Sequence, residues 1–186
     1  ALGQVDYVIV THDLFKAQAE RLAILHRARG LSVHVVEIQQ VYNEFSCGMA
    51  DPVSIRWFMK MFYDRAILNP GTAPESLLLF GDGSYDALNR FDNNSSLIPA
   101  YRSRDGELDN DNVSYISSFT SDDFFGMLDD LESMASTDLI DIGIGRFPVN
   151  TIEEATGVVN KIEHYMNYGS YLYPSVTGTS ENGGYN

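Results

Sequence analysis

The chain has 186 residues, of which 44% are hydrophobic, so it can form one ordinary domain whose helices cover a sheet on both faces. Its 12 Lys and Arg residues against 26 Asp and Glu residues give a formal net charge of -14. This charge repels a phosphate backbone and an anionic lipid surface alike, so we expect no nucleic-acid partner. No apolar run is long enough to cross a bilayer, which predicts no direct membrane insertion.

The first half of the chain alternates strand and helix patterns. Residues 6–11 (DYVIVT) predict a strand, and a helix should follow until Gly30 because its apolar residues recur near the helical period. A second strand is predicted over residues 32–38 (SVHVVEI), with the near-continuous apolar character of a strand buried on both faces. Asp51 and Pro52 then have the order of an N-cap and a first helical residue, which predicts a second long helix.

The second half continues the alternation. Residues 76–80 (SLLLF) and 139–144 (LIDIGI) predict a third and a fourth strand, and Thr151 with Glu154 forms a capping box before the last long helix. Strands that alternate with helices predict a parallel sheet with right-handed crossovers. The long insert over residues 84–138 is of a kind that is usually functional, metal-binding or disordered.

Common active-site motifs are absent. The turn after the first strand is Thr11-His12-Asp13, without the glycines that a dinucleotide-binding fold needs to approach a pyrophosphate. There is no P-loop lysine, H-E-x-x-H, Cys-x-x-Cys or G-x-S-x-G, which excludes several classes of ATPase, metalloprotease and hydrolase. Cys47 is the only cysteine, so no internal disulfide is expected, and we interpret it as a structural or incidental thiol rather than a nucleophile.

Acidic residues concentrate between Asp82 and Asp141, either for solubility or around a hard cation such as calcium. One group repeats a carboxylate at every second residue, as an EF-hand loop begins: Asp105, Glu107, Asp109 and Asp111. That match breaks at Asn110 and Ile116, where glycine and glutamate are required. An irregular calcium site and a solvated loop therefore both stay open for this group. The pair Asp122-Asp123 could likewise bind a cation or cap a turn.

Four segments, read as a set, resemble the gingipain-like cysteine peptidases of family C25. They are residues 77–86 (LLLFGDGSYD), 98–103 (IPAYRS), 120–126 (TSDDFFG) and 141–148 (DIGIGRFP). The resemblance extends over residues 6–168 and favours the sortases of type IX secretion systems within that family. It implies an α/β, three-layer sandwich with a parallel, Rossmann-like and caspase-like sheet of about four strands. Residues 1–168 are expected to form the N-terminal subdomain, and residues 169–186 an irregular tail or the start of a catalytic subdomain.

The resemblance assigns no catalytic residue to this chain. The family's catalytic histidine lies in a His-Gly dipeptide and its cysteine follows an apolar strand, both further downstream. His164 precedes Tyr165, and Cys47 lies in a loop, so neither is expected to be catalytic. The family's calcium dependence makes Asp122 and Asp123 the preferred ligands, with the alternating acidic group as a second candidate. Expected partners are the downstream catalytic subdomain and secreted protein substrates, at a bacterial cell surface or in secretion.

A ligand-binding or scaffold module of secretion machinery is the alternative. Its site would lie at the carboxyl ends of the strands, around Asp82, Asp86 and Arg146. The start of the sequence has no signal-peptide pattern, which suggests a boundary inside a longer protein.

Overall fold

A computed structural model describes most of the chain. The described residues are 2–69, 72–84, 86, 90, 92, 95–102, 119–132, 134 and 138–172, with the main chain alone for 168–172.

Four strands form one parallel sheet, and two short strands pair separately. In chain order the strands are β1 (Tyr7–Thr11), β2 (Val33–Glu37), β3 (Ser76–Phe80), β4 (Tyr101–Arg102), β5 (Thr120–Ser121) and β6 (Gly143–Phe147). The sheet has the order β2-β1-β3-β6 with all pairs parallel, and β4 pairs antiparallel with β5. Each parallel neighbour is reached through a helix or a long connection, as parallel pairing requires.

Helices lie on both faces of the sheet. They are α1 (Lys16–Arg27), α2 (Ile38–Phe45), α3 (Pro52–Ile67) and α4 (Ile152–Leu172), with 3₁₀ turns at Asp13–Phe15 and Asp123–Gly126. Alternate strand residues point to opposite faces. Val10 and Leu79 therefore belong to one core with α2, α3 and the second 3₁₀ turn, whereas Ile9 and Leu78 belong to the other with α1 and α4. The predicted three-layer α/β fold is confirmed.

The predicted helix starts are formed by local side-chain caps. The Asp51 carboxylate accepts a hydrogen bond from the Val53 amide at 2.9 Å, and Pro52 is the first residue of α3. At α4 the Glu154 amide donates to Thr151 Oγ1, while Glu154 Oε2 accepts from the Thr151 amide. Both caps bond amide groups that a helix start leaves without a partner.

The fourth strand of the sheet begins later than residues 139–144 predict. Its first pair joins Gly143 to Ser76, and it continues through Arg146 to Phe147. Leu139 and Ile140 are 80% and 46% exposed. Asp141 turns the chain away from the ladder, because its amide donates to Gly126 O and its carboxylate accepts from the Leu128 amide. The predicted start of this strand was wrong because strand propensity does not show where a neighbouring strand is available for pairing.

The sequence did not predict the short helix α2. This helix has eight residues and follows β2 directly, so an apolar strand pattern continues into it without a break. Its start depends on a capping box. The Glu37 side chain accepts a hydrogen bond from the Gln40 amide, and the Gln40 side chain accepts one from the Glu37 amide. Since short helices have little intrinsic stability, α2 depends on packing of Val41 and Tyr42 against the core.

The expected subdomain boundary at residue 168 falls within α4, which continues to Leu172. The division of the chain at that point stays a prediction. Among the described helices, none combines the length and apolar character that crossing a bilayer demands.

Candidate functional site

Arg146 lies at the carboxyl end of the sheet and holds several segments together. Its Nε and Nη2 atoms each donate at 2.7 Å to the two oxygens of Asp122. Nη1 donates to the carbonyls of Gly81 and Ile98 at 3.0 and 2.9 Å, and Nη2 donates to Pro99 O at 3.1 Å. A guanidinium has five N–H donors, and all five are used here. Arg146 therefore binds its own chain and has no remaining donor for a ligand.

Asp82 makes a second set of contacts at the same end. Its carboxylate accepts hydrogen bonds from the Gly83 amide, Ser95 Oγ and Asn150 Nδ2. Its main-chain carbonyl accepts from the amides of residues 97 and 98. These bonds join the turn after β3 to the segment that precedes α4, so the described contacts of Asp82 serve the fold.

The turn at Gly81 and Gly83, which follows β3, has a steric reason. Gly81 has φ +151°, and a Cβ there would lie 2.8 Å from Ile98 Cγ1. A Cβ at Gly83 would lie 2.9 Å from Ile98 O. Glycine is needed at both positions because the chain passes so close to residue 98. Asp86, the third residue of the alternative binding site, is buried, and its amide donates to Ser84 Oγ.

The two preferred calcium ligands have different environments. Asp122 is partly buried, and both of its oxygens accept from Arg146. Asp123 is exposed, and its amide donates to Ser121 Oγ at 3.1 Å at the start of the 3₁₀ turn. Asp105, Glu107, Asp109 and Asp111 lie outside the described residues. Calcium binding by any of these residues stays a prediction.

A different acidic cluster is brought together near the start of β6. Carboxylate oxygens of Asp129, Glu132 and Asp141 all lie within 4.8 Å of one another. Tyr63 Oη donates to Asp129 at 2.8 Å and contacts Asp141 at 3.3 Å. Oxygen atoms at this spacing suit a hard cation in principle. The sequence showed only an acidic region here, because Asp141 reaches the other two through the fold.

Ionisation in this acidic cluster is shifted. Burial and the neighbouring charges of Asp141 and Asp129 raise the pKa of Glu132, against a lowering hydrogen bond from the Asp129 amide. The hydrogen bond to Asp129 raises the pKa of Tyr63 above its ordinary range, and burial adds to this. The carboxylates thus repel one another and are stabilised by the Tyr63 hydroxyl and by main-chain donors.

The thiol and the imidazoles do not form a catalytic pair among the described residues. Cys47 is exposed at φ 54°, just past α2, and no described group forms a hydrogen bond with its Sγ. His12 caps the first 3₁₀ turn through Nδ1, while His26 packs edge-on against Tyr7. Burial, with a contribution from the charge of Arg29, lowers the pKa of His26. That Cys47 is not the family's nucleophile stays a prediction.

The fold and the sequence together identify the protein family of this chain. The model of peptidase family C25 matches residues 1–183, so the chain belongs to this family. No curated protein sequence matches it significantly.

Solved structures share the fold. The latent, dimeric PorU of Porphyromonas gingivalis is 32% identical, with a TM-score of 0.74 over 92% of this chain. The RgpB pro- and mature-domain complex of P. gingivalis is 17% identical, with a TM-score of 0.55 over 88% of this chain, which shows a shared fold. The chain spans 17% of the PorU chain and 29% of the RgpB chain.

Proposed function

We propose that this chain is the non-catalytic N-terminal α/β subdomain of a gingipain-like cysteine endopeptidase or sortase. The observation that carries the proposal is a family match across residues 1–183 in a chain whose described part contains no cysteine and histidine pair. Its sheet supports a downstream catalytic subdomain and helps to shape the substrate cleft. The small share of each relative that the chain spans supports a larger parent protein.

The subdomain alone is inactive in this proposal. Thiol catalysis needs a thiolate and a base within hydrogen-bond reach, held by surrounding structure. Cys47 is exposed in a turn at the end of α2, which places it about 12 Å along the helix from the carboxyl end of β2. Such a thiol has no imidazole partner among the described residues.

We further propose that the parent processes the C-terminal signals of secreted proteins at the cell surface in type IX secretion. Support comes from the 32% identity to PorU over almost the whole chain, compared with 17% to RgpB. The four resembling segments include Asp82 and Arg146, whose side chains hold the carboxyl end of the sheet together.

Peptidase assays on the parent protein test the proposal. We expect the parent to cleave a peptide that carries a C-terminal secretion signal, with sensitivity to thiol reagents. The 186-residue chain should show no such cleavage. Cys47→Ala in the parent should leave kcat/KM unchanged, and Ala substitution of a downstream cysteine should abolish it.

Each outcome of these assays has a distinct meaning. Thiol-dependent cleavage by the 186-residue chain that Cys47→Ala abolishes would refute the support role. A folded parent without cleavage would favour a scaffold that is related to peptidases but does not catalyse.

Calcium is the cofactor that we propose for this region, with Asp122 and Asp123 as the preferred ligands. Asp123 has an exposed carboxylate, whereas Asp122 would have to share its oxygens with Arg146. Titration calorimetry with calcium should show binding that Asp123→Asn weakens. If Asp123→Asn has no effect while Asp141→Asn removes binding, the ligands are those of the Asp129 cluster instead.

A further inference from the structure

The strand β2 forms one edge of the parallel sheet and has main-chain groups that point away from it. In parallel pairing, alternate residues of an edge strand direct both their amide and carbonyl groups away from the neighbouring strand. The Tyr7 amide donates to Ser32 O, and Tyr7 pairs with Val33. The outward residues of β2 are therefore Val33, Val35 and Glu37, and a peptide that adds to this edge would meet their main-chain groups.

Side chains cap the two ends of the β2 edge and leave its middle open. The Arg27 guanidinium donates to the outward carbonyl of Val33 at 2.8 and 3.2 Å. The Gln40 side chain accepts from the outward amide of Glu37 at 3.4 Å. Among the described residues, no group bonds the outward amide or carbonyl of Val35. The β2 edge thus retains one complete donor and acceptor pair for an extended peptide.

A cavity of about 740 Å³ opens beside Val35, between β2, α2 and α3. The Val35 side chain packs in the opposite core, with α1 and α4, so it is the main chain of this residue that the cavity reaches. The volume is within the range of about 300–1,000 Å³ that is usual for ligand pockets. The apolar lining consists of Leu2, Val36, Val41, Phe45, Phe58 and Met61.

A peptide residue paired with Val35 would place its two neighbours on the cavity side. Successive side chains of a strand point to opposite faces. His34 and Val36 flank Val35 and line the cavity, so peptide residues in register with them direct their side chains to the same face. Main-chain bonds then provide affinity, and the cavity selects the side chains. Walls such as Phe45 and Met61 favour aromatic or large aliphatic side chains there.

We propose that the β2 edge binds an extended segment of a protein substrate, with one residue paired to Val35 and a neighbouring apolar side chain in this cavity. The inference rests on the proposed function, which gives the parent protein a secreted protein as its substrate. One open donor and acceptor pair provides too few bonds for a permanent strand, because each hydrogen bond replaces a bond to water. A contact of this size suits a segment that binds and then leaves.

Charge favours a basic peptide at this edge. Glu44 and Arg65 line the cavity with opposite charges, so the lining itself has no strong preference. The formal net charge of -14 attracts a cationic peptide and repels both an acidic peptide and a second copy of this chain. We therefore expect the bound segment to carry Lys or Arg on either side of its apolar residues.

Binding of a labelled peptide to the full parent protein tests the pairing. The probe is fluorescein-labelled Lys-Lys-Phe-Val-Phe-Lys-Lys, whose central valine would pair with Val35 while both phenylalanines face the cavity. Fluorescence anisotropy should show saturable binding that weakens about 10-fold when the central amide is N-methylated, because one hydrogen bond is lost. N-methylation of the next amide, which points away from β2, should weaken binding less than about 2-fold. Equal losses from the two methylations, or no binding, would overturn the proposal.

Variants of α3 locate the bound side chain. Met61 lines the cavity, whereas Trp57 is 52% exposed on the same helix and does not line it. Met61→Gln should weaken binding of the probe about 5-fold, because it removes apolar contact area. Trp57→Gln should leave the affinity unchanged. Equal effects of the two variants would contradict insertion of a side chain between α2 and α3.

Other occupants of the edge would give different results. Binding of the probe to the 186-residue chain but not to the parent would show that another part of the parent covers β2. Probe binding that the parent loses as its own concentration rises would assign the edge to a second copy. Either result would overturn the proposal.

The peptidase assay separates this inference from the proposed function. A parent with thiol-dependent cleavage but no probe binding would retain the proposed function and lose the site at β2. A parent that binds the probe with the expected response to N-methylation, but does not cleave, would retain the peptide site and lose the peptidase role.

Discussion

The Arg146 side chain joins segments of the chain that are far apart in the sequence. The fourth strand predicted from the sequence, residues 139–144, ends before Arg146, whereas the structure places this residue inside β6 with five hydrogen bonds to four other residues. Its side chain is 13% exposed, so these bonds form where water competes poorly. The residue type was visible in the sequence, but its partners lie 24 to 65 positions away.

We expect Arg146→Lys to destabilise the chain by about 3 kcal/mol, because an ammonium cannot reproduce the bidentate pair with Asp122 and the three carbonyl contacts. Urea denaturation measures the change. Arg21→Lys is the matched control, since Arg21 pairs with Glu163 at a more exposed site, and it should change stability by less than about 1 kcal/mol. Equal losses in the two variants would contradict a special role for Arg146.

Asp6 provides a pH-dependent prediction. Hydrogen bonds from the Ser32 side chain and amide lower the pKa of Asp6. A lowered pKa in the folded state stabilises the fold above the unfolded value of about 4, and this stability is lost as the pH falls through the folded value. Ser32→Ala should raise the pKa of Asp6, as carboxyl NMR would show. The stability cost should be below about 1 kcal/mol, because the site is exposed. An unchanged pKa would exclude the Ser32 hydroxyl as the cause.

Secondary structure elements with local signals were predicted well. The starts of α3 and α4 rest on residues within four positions of one another, and both caps formed as expected. The strand β3 also begins and ends as predicted, because a buried run of apolar residues is bounded by turn residues on both sides. Elements that depend on distant neighbours were missed or misplaced, as α2 and β6 show.

The α4 cap can be tested by itself. Thr151→Ala should destabilise the chain by about 1 kcal/mol, because the Glu154 amide loses its acceptor. Thr151→Ser keeps the hydroxyl and should retain most of the stability. Urea denaturation of both variants provides the comparison, and an equal loss for serine and alanine would show that the methyl group matters instead.

At the scale of the whole molecule, the formal net charge of -14 opposes compaction. We expect the thermal midpoint to rise when the ionic strength increases from about 0.01 M to about 0.15 M, since the Debye length shortens from about 30 to 8 Å. Calorimetry with a non-binding salt such as tetramethylammonium chloride measures this. A falling midpoint would instead show that ion pairs such as Arg146 with Asp122 dominate the salt response.

The sequence by itself determined the α/β class and the alternation of strands with helices, because both rest on periodicity, caps or turns within a few neighbouring residues. The family followed from the resemblance of four segments between residues 77 and 148, and the family model over residues 1–183 confirmed it. Only the tertiary structure decided the strand order, the partners of Arg146 and the acidic cluster at Asp141. These features join residues that are far apart in the chain. Their energies depend on which groups folding brings within hydrogen-bond distance, and local patterns do not contain that information.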